Sequence, residues 1–349
     1  MIKDFFKLEV IDVNKLSADS VSITFNTTGN NDFKFIPGQY ITIKKTINDQ
    51  DVRRSYSISS ATLDNIEIGV KLVQGGLMST FLTRKVKKGD ELEVMPPLGN
   101  FYLQNNSENK NHYLGICAGS GITPILSMIR ETLKTEKDSE FTLLYGNKQR
   151  QSVMFFKEIQ ELERKYQRQF FTYYAFSREE IPDCISGRLD KENLIDFFAQ
   201  HKNLLNADMF FLCGPGALID NTRDLLIDNN IKEENIYFER FNSIEAPIKK
   251  VKSEEINSKV LVCVDGDDFD FELTSSGKSI LDASMDAGAD VPFSCKGGVC
   301  CVCKAKVIEG EVEMDQNFSL SEEEVEQGFI LTCQSHPKSS RVVIDFDEI

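Results

Sequence analysis

The sequence predicts a multidomain chain: an antiparallel β-barrel domain, then an α/β domain on a parallel sheet, then an α+β domain. Three observations predict it. The first 105 residues read as evenly spaced short strands with turn residues between them. From about Asn111 strand and helix patterns alternate, which means a parallel sheet covered on both faces. After a polar stretch without a clear period at 242–257, strand and short-helix patterns resume around a group of cysteines. A length of 349 residues exceeds one compact domain, so two or three are expected.

In the first part, "VSITFNT" and "YITIKKTI" alternate apolar and polar residues, and "RRSYSISS", "NIEIGVKLV" and "DELEVMPP" repeat the pattern. In the second, "HYLGICA", "EFTLLYG", "FFTYYAF", "DMFFLCG" and "ENIYFERF" are strands, and "TPILSMIRETLK", "VMFFKEIQELERKY" and "ALIDNTRDLLIDN" are helices. Ligands of such sheets bind at the carboxyl ends of the strands. Residues 242–257, "NSIEAPIKKVKSEEIN", contain Pro247 and read as a linker. Beyond them "KVLVCVD" and "FDFEL" resemble a hairpin. "SILDASMDAG" is a short helix with Ser279 as N-cap, Asp282 at the third position and Gly288 as its stop. "LSEEEVEQG" starts another, with Ser321 and Glu324 at capping-box spacing, and "RVVIDF" is a final strand.

Hydrophobic content of 41% and charged content of 27% are an ordinary globular balance. No run of 18 apolar residues occurs, so no transmembrane helix and no membrane role are expected. The start, "MIKDFFKLEV", has no apolar segment with a small-residue cleavage site, so a cytoplasmic protein is expected. Of the net charge of −15, residues 258–349 carry −12, from 7 Lys and Arg against 19 Asp and Glu. An acidic module of this kind repels nucleic acid and steers toward basic protein surfaces, or serves as a solvated face.

Nine cysteines, four of them scattered singly, argue against a disulfide framework and for metal or redox chemistry. Cys295, Cys300 and Cys303 in "SCKGGVCCVC" give C-x4-C-x2-C, and Cys333 follows at a distance. This is the plant-type spacing for an iron–sulfur centre. Four thiolates terminate the two irons, and Gly297 and Gly298 let a tight loop aim backbone N–H groups at sulfur. Zinc is the competing reading, but a zinc ribbon shows two C-x2-C pairs and here there is one. Inert buried thiols would not crowd a Gly-rich loop.

Three upstream segments carry further candidates. In "RRSYSISS", Arg54, Tyr56 and Ser57 are either plain strand residues or partners for a phosphate, an apolar ring face and a ring nitrogen. "GGLMSTFL" offers two glycines, then Ser79 and Thr80 before a helix, an anion site at a helix N-terminus. In "AGSGITPILSMI", Thr123 suits an N-cap and Pro124 the first helical position, while the turn of Gly119, Ser120 and Gly121 brings backbone close to a phosphate. Cys213 of "FLCGPGA" ends a strand where a reacting ring can lie, although a lone cysteine there is more often packing.

Residues 289–337 resemble a plant-type [2Fe–2S] ferredoxin domain, whose fold is a β-grasp. "FIPGQY", "RSYS", "GVK", "GGLMSTFL", "PPLGNF", "GSGITP", "YGNK" and "CGP", in this order over about residues 5–241, resemble the ferredoxin–NADP reductase family. The order of reductase first and ferredoxin last, with "YFERF" and "CKGGVCCVC", is similar to the subgroup that serves phenylacetyl-CoA epoxidase. The resemblance implies a FAD-binding β-barrel domain at 1–107, an NAD(P)-binding α/β domain at 108–241, the linker at 242–257 and a ferredoxin domain at 258–349.

By the same resemblance the cluster ligands are Cys295, Cys300, Cys303 and Cys333, with Cys301 outside the set. Arg54 holds the FAD pyrophosphate, Tyr56 stacks on the flavin, and Ser57 approaches its N5, with Ser55 beside them. Val70 and Lys71 line the flavin site, and Gly76, Met78, Ser79 and Thr80 surround the FAD phosphates. Gly119, Gly121, Thr123, Gly214 and Pro215 contact the nicotinamide nucleotide. Cys213 lies near the reacting carbon of nicotinamide, and Glu239 completes the site. Pro37, Gly38 and Gln39 are structural. After "LLYG" come Asn147, Lys148, Arg150 and Ser152, with no acid before Glu158, which favours NADPH over NADH.

The implied activity is a reductase passing electrons from NADPH through FAD and a [2Fe–2S] cluster to a terminal oxygenase or other acceptor protein with a basic docking patch. The acceptor is of the phenylacetyl-CoA epoxidase type, or another oxygenase, a hydroxylase or a hybrid-cluster protein. An iron–sulfur redox sensor without turnover is the alternative from another class. The presence of Arg54, Tyr56, Ser57, Ser79 and Cys213 together argues against it.

Overall fold

The computed structural model describes residues 4–61, 65–241 and 255–348. They form two compact units, one of residues 5–241 and one at the C-terminal end of the chain. Most of the linker expected at 242–257 lies outside the described residues, and Asn257 already opens a strand.

The first unit begins with a barrel. Its strands are β1 (Phe6–Ser17), β2 (Ser20–Asn26), β3 (Tyr40–Ile47), β4 (Gln50–Ser57), β5 (Asn65–Lys71) and β6 (Glu91–Leu98), with helix α1 (Leu77–Arg84) between the last two. The sheet order β4-β3-β6-β1-β2-β5 is antiparallel throughout. A single antiparallel bridge, Ile58 to Ile68, brings the end of β4 to β5 and closes the sheet. Alternate residues point inward, so Leu8, Val10, Ile23, Phe25, Ile41, Ile43, Ile66, Ile68 and Val94 fill the interior. Met78 and Leu82, one helical turn apart, lower α1 onto that core. The sequence shows the alternation of β2 to β6 readily. β1 is harder to see because only its first half alternates cleanly around Leu8 and Val10. The strand expected over 53–60 ends at Ser57, where the chain turns to make its bridge.

The same unit continues with β7 (His112–Ala118), α2 (Ile122–Thr135), β8 (Glu140–Asn147), α3 (Phe156–Lys165), β9 (Phe170–Phe176), β10 (Ile185–Ser186), α4 (Lys191–Gln200), β11 (Met209–Gly214), α5 (Gly216–Asp228) and β12 (Ile236–Arg240). All pairs in the order β10-β9-β8-β7-β11-β12 are parallel. α2 and α3 bury Ile125, Ile129 and Ile159 on one face, and α4 and α5 bury Leu194, Phe197, Ile219 and Leu226 on the other. The chain runs outward from β7 in one direction and then returns to build β11 and β12 on its other side. The carboxyl ends of β7 and β11 therefore flank the topological switch point, where ligands of such sheets bind. α4 is not among the helices expected above, yet Leu194, Phe197 and Phe198 have helical spacing and Asp190 caps it by accepting from the Asn193 amide.

The C-terminal unit has β13 (Asn257–Val264), β14 (Asp267–Thr274), α6 (Ile280–Asp286), β15 (Lys304–Glu309), β16 (Val312–Met314), α7 (Glu322–Glu326), β17 (Phe329–Leu331), β18 (Ser335–Pro337) and β19 (Arg341–Asp345). Its five-stranded sheet, β14-β13-β19-β15-β17, is antiparallel except for the β13–β19 pair, and Ile280 and Leu281 of α6 pack on it. This is the β-grasp arrangement. The expected hairpin turns at Asp265 and Gly266, both with positive φ (54° and 80°), a twist that suits a two-residue turn. The expected caps form: Ser279 accepts from the Asp282 amide, and Ser321 and Glu324 make a reciprocal capping box. Among the described residues no helix is long and apolar enough to cross a membrane.

Candidate functional site

The end of barrel strand β4 meets the carboxyl ends of the parallel strands within the first unit. Ser57, the buried last residue of β4, donates from Oγ to Oε2 of Glu239 in β12 at 3.2 Å, across 182 residues of sequence. Burial pushes the Glu239 carboxyl up to about 8, against the lowering effect of the Ser57 hydrogen bond. Cys213 pairs in register with Glu239 on one side and Cys117 on the other. Burial, reinforced by Glu239, pushes the Cys213 thiol well up, so it stays protonated and is no nucleophile.

The turn after β7 meets this strand end backbone to backbone. A Cβ on Gly121 would lie 2.2 Å from the Cys213 carbonyl oxygen, so no other residue fits. Gly119 adopts a left-handed φ of 58° with open space around it, so conformation and not crowding selects glycine there. Gly214 brings its backbone against Ala118, and Pro215 precedes α5. The expected capping of α2 by Thr123 is not found. A one-turn extension at Gly119–Gly121 moves the helix start forward to Ile122, and the Thr123 hydroxyl donates to the Ser120 carbonyl at 3.0 Å. Gly121 supplies no side-chain acceptor; the Ile122 amide turns back to the Ser120 carbonyl, and Pro124, at the third helical position, has no N–H to satisfy.

Asn147, at the end of β8, is buried, and neither its amide nitrogen nor its oxygen makes a hydrogen bond of ordinary length. The Tyr145 hydroxyl is committed to the Gly119 carbonyl at 2.8 Å. An unsatisfied buried amide costs about 1–3 kcal/mol, which a polar ligand would recover. The glycine cradle and this amide together fit a nicotinamide nucleotide. Lys148 and Arg150 are exposed beside it, and Arg150 lies over the Phe156 ring at 4.9 Å. The Ser152 hydroxyl closes its own turn by donating to the Gln149 carbonyl. Lys71 reaches across from the barrel: its Nζ is 3.5 Å from the Ser152 carbonyl oxygen. Burial lowers its pKa first, and nearby Lys148 lowers it further against the opposing effect of Asp19. Glu179, which the sequence did not indicate, accepts from the Arg150 amide at 2.7 Å.

On the barrel side Arg54 is exposed and Tyr56, two residues on, shares its face of β4. Burial raises the Tyr56 hydroxyl pKa. An exposed cation next to a partly buried ring fits a flavin nucleotide. Ser55 is spent between strands on Thr42, 3.0 Å away. Ser79 turns its hydroxyl to the preceding loop, accepting from Val73 and donating to Gly76. The Thr80 amide returns to the Gly76 carbonyl. The side chains of Val70 and Met78 lie in the barrel core, which leaves only their backbones for a ligand. Gly38 and Gln39 are structural as expected: a Cβ on Gly38 would meet the Phe101 carbonyl at 2.4 Å, and Gln39 bonds to Ile36 and Gly99.

In the C-terminal unit the loop at 294–303 bends through left-handed Lys296 and Gly298, with φ of 53° and 72°. Its amides point at sulfur: Cys295 N–H to Cys300 Sγ and Gly297 N–H to Cys295 Sγ, each 3.3 Å. Cys333 sits in the short turn Thr332–Gln334 after β17. Thr332 donates twice to the Cys303 carbonyl, and Gln334 donates to the Lys296 carbonyl. The sulfurs face each other. Hydrogen bonds from Cys300 and Cys333 hold Cys295 far below the usual thiol range, while those to Cys295 and Cys303 push Cys333 well above it. Cys303 is lowered by Cys333. Four convergent thiols with amide donors fit an iron–sulfur cluster. Cys301 is only partly buried, against the core that Cys303 and Cys333 belong to.

Barrel, parallel sheet and cysteine loop together define a flavin- and nicotinamide-dependent oxidoreductase that carries its own iron–sulfur domain. Three family profiles match: an oxidoreductase FAD-binding domain at 7–102, an oxidoreductase NAD-binding domain at 116–224 and a 2Fe-2S iron-sulfur cluster binding domain at 262–338. The chain is 39% identical to one of the subunits of 1,2-phenylacetyl-CoA epoxidase of Escherichia coli (strain K12), covering 98% of each protein. It is 30% identical to the 3-ketosteroid-9-alpha-monooxygenase ferredoxin reductase component of Rhodococcus rhodochrous, over 97% of this chain and 96% of that one. Among solved structures, phthalate dioxygenase reductase shares the fold with a TM-score of 0.60 and 24% identity over 98% of both chains. The chain belongs to the ferredoxin–NADP reductase-type family of flavin and iron–sulfur electron-transfer reductases, and it is an NAD(P)H-dependent enzyme.

Proposed function

We propose that the protein draws electrons from NADPH and delivers them, one at a time, to a terminal oxygenase of the phenylacetyl-CoA epoxidase type. The observation that carries the reading is the Ser57–Glu239 hydrogen bond, 3.2 Å, at the switch point. It puts a barrel residue and a sheet residue at one point, where a ring held by each half can meet face to face. FAD, when bound, supplies the chemistry that side chains lack: it accepts a hydride and releases electrons singly.

The chain's own residues bind, orient and hold protons. Arg54 and the backbone at 76–80, including Gly76, Met78, Ser79 and Thr80, would hold the flavin nucleotide, with Tyr56 offering it an apolar ring. Ser57 would offer its hydroxyl to the bound group. Glu239, neutral at pH 7 because burial raises it, stores a proton one hydrogen bond from Ser57 Oγ. Gly119, Gly121, Thr123, Gly214 and Pro215 would give the nicotinamide nucleotide close backbone contact, Asn147 would bind it through its buried amide, and Cys213 would offer it a protonated thiol. Cys295, Cys300, Cys303 and Cys333 would hold the [2Fe–2S] cluster.

The domains are read as 1–107 for FAD, 108–241 for the nicotinamide nucleotide and 258–349 for the cluster, joined by 242–257. The acceptor presents a basic patch to the acidic C-terminal module, which carries −12 of the −15 net charge and repels nucleic acid and anionic membranes alike. A reducing cytoplasm suits a chain whose nine cysteines are all thiols. The relatives named for an epoxidase and a monooxygenase support an oxygenase as acceptor.

Lys148 and Arg150, with Lys71 opposite, favour the 2′-phosphate of NADPH. Glu179 favours a second reading, NADH, because an acid beside this loop suits free ribose hydroxyls. Steady-state reduction of cytochrome c with each nucleotide, in wild type and in the double variant K148A/R150A, decides between them. The double variant raises KM for NADPH more than for NADH if the first reading holds. Equal effects favour the second, and no reduction with either nucleotide ends the enzyme reading.

A further inference from the structure

We infer that Arg130 of α2 is a positioning residue that sets the distance between the flavin-side strand and the nicotinamide-side turn. This rests on reading the Ser57–Glu239 contact as the site of hydride exchange.

The Arg130 guanidinium is largely buried, with 16% of its side chain exposed, and it joins three elements. Nη1 donates to the Ser59 carbonyl at 2.6 Å and to Glu67 Oε1 at 2.8 Å. Nε and Nη2 donate to the two oxygens of Glu158 in α3, each at 2.6 Å. The Phe155 ring lies 5.6 Å from the guanidinium carbon. One turn earlier on the same helix face, Ser127 Oγ donates to the Ser60 carbonyl at 2.6 Å. Two side chains of α2 thus hold two consecutive carbonyls, two and three residues beyond Ser57.

That segment needs an external hold. β4 ends at Ser57, and closure of the barrel here rests on the Ile58–Ile68 bridge and the Ser59–Glu67 bonds. The other end of α2 is the turn at Gly119–Gly121, about 13 Å away at 1.5 Å per residue, against the Cys213 carbonyl. One rigid helix therefore carries the nucleotide turn at one end and grips the Ser57 strand near its middle. Only a planar fork with several donors reaches Ser59, Glu67 and Glu158 together; a lysine ammonium cannot hold the same geometry. The Ser57–Glu239 contact then falls in place as the third fixed point between the two halves.

The test uses the full-length holoprotein as wild type, Arg130→Lys and Ser127→Ala. Anaerobic stopped-flow reduction with NADPH and with NADH, each also deuterated at the transferred position, gives nucleotide affinity, rate per bound flavin and isotope effect. Hydrogen–deuterium exchange of 57–60 and 122–135 reports the grip independently of turnover. The expected result for R130K is about a tenfold slower flavin reduction, unchanged nucleotide affinity, a changed isotope effect, and faster exchange at 57–60. S127A shows the same pattern more weakly and carries the test if R130K does not retain flavin. A purely structural role lowers the melting temperature or the flavin content but leaves rate and isotope effect per bound flavin unchanged, and that result overturns the proposal. If the wild type is reduced by neither nucleotide, the hydride reading falls. Unchanged exchange at 57–60 in both variants then overturns the positioning role as well.

Discussion

Glu239 is a carboxyl whose environment raises its pKa from 4.5 to about 8, so its ionisation falls inside the working pH range. A raised carboxyl binds its proton more tightly folded than unfolded. Its contribution to stability is therefore complete below about pH 4.5 and is lost as pH rises through about 8. Two consequences follow for Glu239→Gln. The alkaline loss of melting temperature between pH 6 and 9 becomes shallower, as calorimetry will show. The fall in flavin reduction rate above pH 8 disappears, as a stopped-flow pH series will show. Cys333 is a second residue-scale case. Replacing it with Ala removes one of four convergent sulfurs, so the visible absorption of the cluster is lost while NAD(P)H still reduces the flavin. An unchanged spectrum would refute its ligand role. Cys213, by contrast, is a buried thiol whose raised pKa suits packing against a ring, and C213A is expected to impair reduction without abolishing it.

At the scale of elements, the turn leading into α2 shows how a short segment serves two ends. Gly121 has an ordinary helical φ, so its glycine is explained by space alone: any Cβ collides with the Cys213 carbonyl at 2.2 Å. Gly121→Ala must push α2 away from β11, and KM for the nicotinamide nucleotide is expected to rise on the order of tenfold with flavin content unchanged. Steady-state kinetics on flavin-loaded protein checks this. The strands of the barrel and of the parallel sheet are legible in the chain because each pattern of burial repeats over several residues. The helix start is not. Thr123 and Pro124 have the residue types of a cap, but the preceding Gly-Ser-Gly adds a turn that local preference does not reveal. Likewise Val70 and Met78 sit inside motifs that point to cofactor binding, yet the strand alternation and the helix face send their side chains into the barrel core.

At the scale of the molecule, charge and connection matter most. The C-terminal module holds most of the net negative charge, so delivery of electrons to a basic acceptor slows as salt rises and shortens the screening length. Cytochrome c, itself basic, shows this as a falling rate across a salt titration, while ferricyanide reduction at the flavin does not follow the same trend. Cutting the chain after residue 241 leaves the compact unit of residues 5–241. Ferricyanide reduction by NAD(P)H persists in that fragment, and transfer through the cluster is lost. Failure of the fragment to reduce ferricyanide would refute the proposed division of labour.

The class of chemistry can be read from the linear chain. Cysteine spacing, strand alternation and the order of glycine-rich turns are short-range patterns, and each is set by local geometry that a run of residues displays directly. What crosses between segments distant in sequence emerges only on folding. The fold puts Ser57 on Glu239 across 182 residues, Arg130 on Ser59, and Glu179 beside Arg150. It also buries the Asn147 amide without a hydrogen bond of ordinary length. These depend on how two packed layers meet, and no periodicity in the chain encodes which side chains will face each other there.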